Sequence, residues 1–429
     1  MENILIIGGG AGGLELATQL GHKYGRKNKA KITLVDRNRT HIWKPLLHEV
    51  ATGSLDTSTD GVVYHAHAAK HYYNFQLGEF CQLDTEAKTV TLAPSFDSEG
   101  EQVLPERQLS YDKLVLAIGS VSNDFGTPGV AEHCYFLDSH QQAERFHHGL
   151  LNNFIRINQK DESEELHIAI VGGGATGVEL SAELYHVADL LKSYGMPNMT
   201  ANQLKISLIE AGPRILPALP DRISFSARKE LVRLGVEVKE SVRVASASKE
   251  GFITADDELI QADMMIWAAG VKAPDFVSRL GVFETNRNNQ IIVEPSLQAK
   301  GHSDIWVIGD CCACEQADGS WVPPRAQSAH QMAEQVKENL ARLLKGEQPK
   351  PYIYKDHGSL VNLSRYSTVG SLMGNLTSNS MFIEGRIARA VYISLYRMHQ
   401  VAIHGWPKAM MVIVAEKLGK VVRPKMKLH

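Results

Sequence analysis

The chain has 429 residues, of which 44% are hydrophobic and 22% charged, and its formal net charge is −3. That composition excludes a disordered or collagen-like chain, and the slight negative charge speaks against nucleic acid as a partner. Five cysteines are too few and odd in number for a disulfide framework, which points to a reducing environment, and the length suffices to bury two α/β cores.

The first element is a run of branched apolar residues, Ile4 to Ile7, and it leaves no room for a signal peptide ahead of it. Gly8-Gly9-Gly10-Ala11-Gly12-Gly13 follows, read as Gly-x-Gly-x-x-Gly, and then a helix-like stretch. In a strand–turn–helix unit such glycines allow a sharp turn and close approach to a pyrophosphate, whose charge sits on the positive end of the helix. The next strand, Ile32 to Asp36, ends in a carboxylate suited to ribose hydroxyls, and Asp36 lies 23 residues past Gly13. The segment His41 to Gly53 contains Lys44, Pro45, Thr52 and Gly53 and no cysteine. Polar stretches at 97–106 and 159–165 read as mobile loops, and an apolar strand from Leu114 ends at Gly119.

The same unit returns 164 residues after the first: Ile168 to Val171, then Gly172-Gly173-Gly174-Ala175-Thr176-Gly177. Glu179 lies in the first turn of the helix that follows, as Glu15 does in the first copy. Acids are common there for dipole reasons, so position alone is also compatible with a structural role. Ile206 to Glu210 supplies the second ribose carboxylate, Glu210, which repels a 2′-phosphate and favours NADH over NADPH, although Arg214 stands nearby. Another apolar strand, Met264 onward, ends at Gly270. Two fingerprints, each with its carboxylate, imply two dinucleotides in one chain; glycine-rich turns that bind nothing are the alternative.

Asp304 to Asp310 is a strand ending in Gly309-Asp310, followed by Cys311, Cys312 and Cys314. These thiols are either copper(I) ligands or small buried residues; no histidine pair at zinc-like spacing accompanies them, and no metal is expected. The eighteen histidines, His41, His48, His65, His67 and His357 among them, read as structural or surface residues. Pro323-Pro324 suits a helix start, and 325–344 reads as helical, with Gln327 and Gln331 one turn apart on one face. Near the end, Ala388, Val391, Tyr392, Leu395, Met398, His399 and Ala402 share one helical face, with Arg389, Arg397 and Gln400 opposite. A second apolar run, Ala409 to Ala415, precedes Lys417, Lys420, Arg423, Lys425 and Lys427. Residues 386–429 carry nine Lys or Arg against one acid, so this end is at +8 and residues 1–385 at −11. Neither apolar run is long enough to span a bilayer. An amphipathic basic segment can instead lie on an anionic lipid surface; packing on its own domain or pairing with a second copy is the alternative.

The Gly309-Asp310 strand resembles the late signature of two-dinucleotide flavoproteins. The paired fingerprints, the cysteine-free segment His41 to Gly53 and the run Ala326-Gln327-Ser328-Ala329-His330-Gln331 together resemble the type II NADH dehydrogenases, non-pumping NADH:quinone oxidoreductases of bacterial respiratory membranes. The resemblance covers essentially the whole chain. It implies two Rossmann-like domains in a glutathione-reductase-like α/β fold with a C-terminal amphipathic membrane segment. Domains are expected at 1–120 with 271–345 for FAD, 121–270 for NADH and 346–429 for membrane anchoring. It implies non-covalent FAD bound by Gly8, Gly10, Gly12, Gly13, Asp36, Lys44, Pro45, Thr52, Gly53, Gly119, Gly309, Asp310, Ala326 and Gln327. NADH is expected on Gly172, Gly174, Gly177, Glu179, Glu210 and Gly270. Catalytic roles fall to Glu179, beside nicotinamide and flavin, and to Gln327 and Gln331, beside a membrane quinone such as ubiquinone. The helix from Arg325 is expected to begin at the flavin ring, its positive end favouring the reduced state. The competing readings are sulfide:quinone oxidoreductase, which needs a flavin-facing cysteine pair, a soluble NADH-dependent flavin reductase (diaphorase), and a redox-sensing protein that merely holds FAD and NAD. The expected location is peripheral, on the cytoplasmic face of a bacterial inner membrane.

Overall fold

A computed structural model describes residues 1–55, 61–97, 99–159, 164–191, 194, 196, 201–363, 367–373 and 380–422. Its first sheet is parallel and five-stranded, in the order Ile305–Val307, Lys113–Leu116, Glu2–Ile7, Ala30–Asp36, Asn74–Leu77. Ile4, Leu5 and Ile6 are buried, as a central parallel strand covered on both faces requires. The helix Ala11–Lys23 lies against the helix Ala326–Leu343 so closely that a Cβ on Gly12 would stand 2.9 Å from the Ala329 carbonyl oxygen.

The second sheet repeats the plan with four parallel strands: Glu237–Glu240, Leu204–Glu210, Leu166–Val171, Met264–Trp267. In both sheets the fingerprint strand is paired with the strand that ends in the ribose carboxylate. Each sheet is accompanied by a three-stranded antiparallel ladder, 80–84, 89–92 and 107–110 in one case, 244–248, 251–254 and 259–261 in the other. The chain leaves the first sheet after Leu116 and returns to it only at Ile305. Its outgoing strand Val121–Ser122 pairs antiparallel with its returning strand Val271–Lys272.

Of the two polar stretches read as mobile loops, the first is turned into a short hairpin, Ser95–Phe96 against Gln102–Leu104. The Glu101 N–H donates to Asp97 Oδ1 there at 2.9 Å. In the second stretch, residues 160–163 lie outside the described residues.

The C-terminal part begins with a three-stranded antiparallel sheet, Gly358–Leu363, Ser367–Met373, Ser380–Glu384, which the sequence reading did not foresee. Two helices follow, Gly385–His404 and Trp406–Val422, separated by Gly405 at φ 77°. The first contains the expected amphipathic stretch, whose apolar face is only partly buried in the chain. Ala388, His399, Gln400 and Ile403 are buried, whereas Leu395 and Met398 are exposed. The polar residues turn inward because they satisfy one another: Arg397 Nη1 donates to Gln400 Oε1 at 2.6 Å, and Arg397 and Gln400 both reach Glu416 of the second helix, at 2.5 and 3.0 Å. Lys425 and Lys427 lie outside the described residues, as does Arg423. Among the described residues, no helix is long and apolar enough to cross a membrane.

Candidate active site

The two nucleotide turns have one construction. Gly8 sits at φ 103° and Gly172 at φ 114°, the left-handed region closed to most side chains, and a Cβ would collide with the neighbouring strand end at Ala117 or Ala268. Asp36 Oδ2 accepts from the Gly9 N–H at 2.7 Å, and Glu210 Oε2 accepts from the Gly173 N–H at 2.8 Å. Their other oxygens accept from Asn38 N–H and Gly212 N–H, both at 2.7 Å. Each carboxylate thereby braces the turn and keeps lone pairs for ribose hydroxyls. Burial pushes the Asp36 carboxyl up in spite of those bonds. Gly13 and Gly177 pack on the carbonyls of Gly8 and Gly172, while nothing stands within 4 Å of a Cβ on Gly10 or Gly174. That open space over both helix starts fits a pyrophosphate. Arg214 is engaged elsewhere, with the carbonyls of Leu219 and Pro217 at 2.7 and 3.1 Å and with Asp221.

Around the first turn, Lys44 Nζ donates to the Ser120 carbonyl at 2.8 Å and to its hydroxyl at 3.1 Å, and that hydroxyl donates to Asp310 Oδ2 at 2.8 Å. Lys44, Ser120 and Asp310 thus form one polar chain although Lys44 and Ser120 lie 76 residues apart in sequence and Ser120 and Asp310 a further 190. Ser120 carries no sequence signal beyond its place after Gly119, which lies at φ 70° facing open space. Pro45 is the second residue of the turn Lys44–Leu46; Thr52 is buried at the end of the helix Leu47–Thr52, and Gly53 caps it at φ 78°. Gly309 opens the turn Gly309–Cys311, and Gly270, at φ 65°, packs against Phe125. Ala326 begins its helix with Arg325 as the extended cap, no side chain capping the first turn.

Glu179 is buried and its carboxyl is pushed up to about 8. Burial is the main cause, opposed by the Asn362 N–H, which donates to Oε1 at 2.9 Å, and reinforced by the nearby Glu49 carboxylate. The Tyr392 hydroxyl is a further hydrogen-bond partner. His48 Nδ1 lies 3.8 Å from Oε2. One turn along the helix Glu183 is buried too, and the Ser54 hydroxyl donates to it. Helix 175–191, helix 47–52, the C-terminal sheet and the helix Gly385–His404 therefore converge on one buried acidic cluster, of which the sequence reading named Glu179.

Gln327 and Gln331 face the segment 355–358. Gln327 Nε2 donates to the Gly358 carbonyl at 3.1 Å and its Oε1 accepts from His357 N–H at 3.1 Å. Gln331 brackets Lys355, donating to its carbonyl at 2.8 Å and accepting its N–H at 3.0 Å. Both side chains thus act as backbone-like pairing partners for the segment that leads into the strand Gly358–Leu363.

Glu15, the first-copy counterpart of Glu179, is buried between two histidines. His399 Nδ1 lies 2.7 Å from Oε1 and His330 Nδ1 contacts Oε2. Burial raises the Glu15 carboxyl, but the two imidazole hydrogen bonds outweigh it and the net shift is downward; the same contact raises His330. His399 continues to His41 (3.0 Å), whose Nδ1 donates to the Gly9 carbonyl at 2.9 Å.

Cys311, Cys312 and Cys314 are buried. Burial pushes the Cys311 thiol up to about 12 and that of Cys314 to about 11. Among the described residues, donor atoms converge tightly enough for an ion at His67, His71 and His404 instead, within 4.8 Å of one another. This corrects the expectation that no histidine pair stands at ligand spacing: His67 and His71 are four apart on the helix Tyr64–His71. Burial lowers His67 to about 3 and His71 to about 4. A cavity of about 560 Å³ lined by Asn3, Lys31 and Asn74 lies at the amino ends of the first sheet's strands, opposite the ends where α/β sheets bind ligands.

The fold and the doubled nucleotide turn define a flavoprotein oxidoreductase of the two-dinucleotide class, and a family model for pyridine nucleotide-disulphide oxidoreductases matches residues 2–333. The type II NADH:quinone oxidoreductase of Haemophilus influenzae is 45% identical over 100% of both chains. The chain therefore belongs to the pyridine nucleotide-disulphide oxidoreductase family and, within it, to the type II NADH:quinone oxidoreductases. Among solved structures, that of NDH2 from Plasmodium falciparum in complex with NADH superposes with a TM-score of 0.83 over 99% of this chain and 100% of that one, at 20% identity. The sulfide:quinone oxidoreductase of Aquifex aeolicus shares the fold at a TM-score of 0.75 over 94% of this chain and 92% of that one, at 17% identity.

Proposed function

We propose that this chain oxidises NADH and reduces a membrane quinone through non-covalent FAD, without pumping protons. The observation that carries the reading is the pair of braced nucleotide turns in one chain, with no redox cysteine in the segment His41 to Gly53. We assign FAD to the unit 1–120 with 271–345, NADH to 121–270 and membrane contact to 346–429. Bound FAD supplies the hydride acceptor and two-electron store. Asp36 and Glu210 hold the two riboses, and Glu210 with an occupied Arg214 favours NADH over NADPH. The Lys44–Ser120–Asp310 chain positions the flavin side of the site. The uncapped first turn at Ala326 favours negative charge on whatever it faces. Gln327 and Gln331 border the quinone headgroup, and Glu179, protonated at neutral pH, delivers a proton there.

Attachment to the bilayer falls to the exposed face of the last helix. Trp406, Met410, Met411, Val414 and Leu418 are all exposed and lie within one arc of it. With the basic residues around them they suit an anionic lipid surface on the cytoplasmic side of a bacterial inner membrane; a second copy of the chain is the competing occupant. Met411→Glu with Leu418→Glu is expected to abolish flotation with anionic vesicles; full flotation would reject the lipid assignment, and a shift from dimer to monomer without lipid loss would favour pairing.

An anaerobic titration tests the reaction. NADH is expected to bleach the flavin absorbance, a short-chain quinone to restore it, and sulfide to leave it unchanged. Bleaching by sulfide, or a reduced flavin that quinone leaves reduced, would overturn the proposal.

A further inference from the structure

The helix Tyr64–His71 runs from the first nucleotide turn, where the Tyr64 hydroxyl donates to the Gly9 carbonyl at 2.6 Å, to the end of the helix Gly385–His404. At that junction four imidazoles gather. The rings of His67 and His71 stack at 4.0 Å with an interplanar angle of 10°, and His404 meets His67 edge-on at 5.6 Å. His22 from the first fingerprint helix stands behind His71, its Nε2 2.9 Å from His71 Nδ1. None of these side chains takes part in the nucleotide turns or in the acidic cluster around Glu179.

We propose that His67, His71 and His404 bind one divalent cation of the zinc type, which clips the C-terminal helices to the flavin-side fold. The donor set is all imidazole. It lacks the carboxylates that Mg2+ or Ca2+ require and the thiolates that favour copper(I), and it suits Zn2+. Two ligands come from one helical face at i and i+4, the third from the chain's far end. Tetrahedral Zn2+ with Zn–N bonds of about 2.1 Å places its donors about 3.4 Å apart, so atoms now within 4.8 Å need only side-chain rotation to close. Outer partners are in place to fix the rings. The Tyr73 hydroxyl sits 2.8 Å from His67 Nδ1 and can accept its N–H once Nε2 turns from the Ile403 carbonyl (2.8 Å) to the metal, and His22 can accept from His71 Nδ1. A fourth position toward the half-exposed His404 is left for water.

The test uses the untagged, flavin-loaded full chain, treated with chelator and then given Zn2+. About one zinc per chain is expected to survive gel filtration, and zinc is expected to slow tryptic cleavage after Lys408. Replacing zinc by Co2+ is expected to give the visible bands of a four-coordinate nitrogen site. His71→Ala with His404→Ala is expected to weaken zinc binding at least tenfold and to remove the protection from trypsin; Tyr73→Phe weakens binding about tenfold. Cys314→Ser is expected to leave zinc untouched. Should the double variant lose its flavin, His404→Gln alone decides, because that ring is half-exposed. No zinc on the wild-type chain, zinc retained undiminished by these histidine variants, or zinc lost with Cys314 would each overturn the proposal.

Discussion

Glu179 keeps its proton at neutral pH because burial, with Glu49 nearby, costs its carboxylate more than the Asn362 N–H returns. A raised carboxyl binds its proton more tightly in the folded than in the unfolded chain. Stability therefore falls as pH climbs from the ordinary 4.5 toward about 8. Reoxidation of reduced flavin by quinone is expected to decline above about pH 8, and Glu179→Gln is expected to slow it ~100-fold and flatten both pH profiles while FAD stays bound. Stopped-flow reoxidation and melting curves across pH check this; unchanged reoxidation removes Glu179 from the mechanism. Glu15 has the opposite sign. Its lowered carboxyl stabilises above 4.5, and the raised His330 stabilises below 6.5, so the pair contributes in full between those values and fades on either side. Glu15→Gln is expected to lower the Tm most at about pH 5.5, between the two ordinary values, and a Tm difference independent of pH would refute the assignment. Glu179 and Asp36 were legible from their distance to a glycine fingerprint. His48, Tyr392 and Asn362 were not, because a burial partner brought from another segment leaves no local pattern.

Helices and strands that obey a local period were readable where one face alone decides their burial. The helix from Ala326 follows that rule, whereas the fingerprint strands and their carboxylate neighbours were readable as short apolar runs buried on both faces. The helix Gly385–His404 was found, but the packing of its polar side was not, since Gln400 is buried and Arg397 half-buried against Glu416, a partner on the next helix. The three strands of 358–384 escaped notice because Gly358–Leu363 is paired and shielded by remote elements rather than by its own alternation. Gln331 illustrates how a side chain can stand in for a ladder: it supplies Lys355 with both a donor and an acceptor. Gln331→Leu hands that exposed backbone pair to water, at a cost of about 0.5–1.5 kcal/mol. Quinone KM is expected to rise while flavin reduction by NADH keeps its rate, and steady-state kinetics with a short-chain quinone show whether the two separate.

For the molecule as a whole, the C-terminal helices also reach back to the first nucleotide turn. His399 reaches Glu15 and His41, and His41 holds the Gly9 carbonyl of the first nucleotide turn. Removing residues 385–429 is therefore expected to loosen FAD as well as to abolish vesicle binding, whereas the surface pair Met411→Glu and Leu418→Glu is expected to abolish vesicle binding alone. Equilibrium dialysis of FAD from both variants separates the two effects, and equal retention would show that the His399 contact is dispensable.

The ribbon of 121–122 against 271–272 sets the outward and homeward paths of the chain one strand spacing apart. A long excursion that begins and ends at neighbouring points is easily cut out, exchanged or grafted, since a tight turn suffices to rejoin the stumps. In ancestral terms, a single recombination event at that spot could swap the second nucleotide fold while leaving the first fold and the C-terminal helices intact.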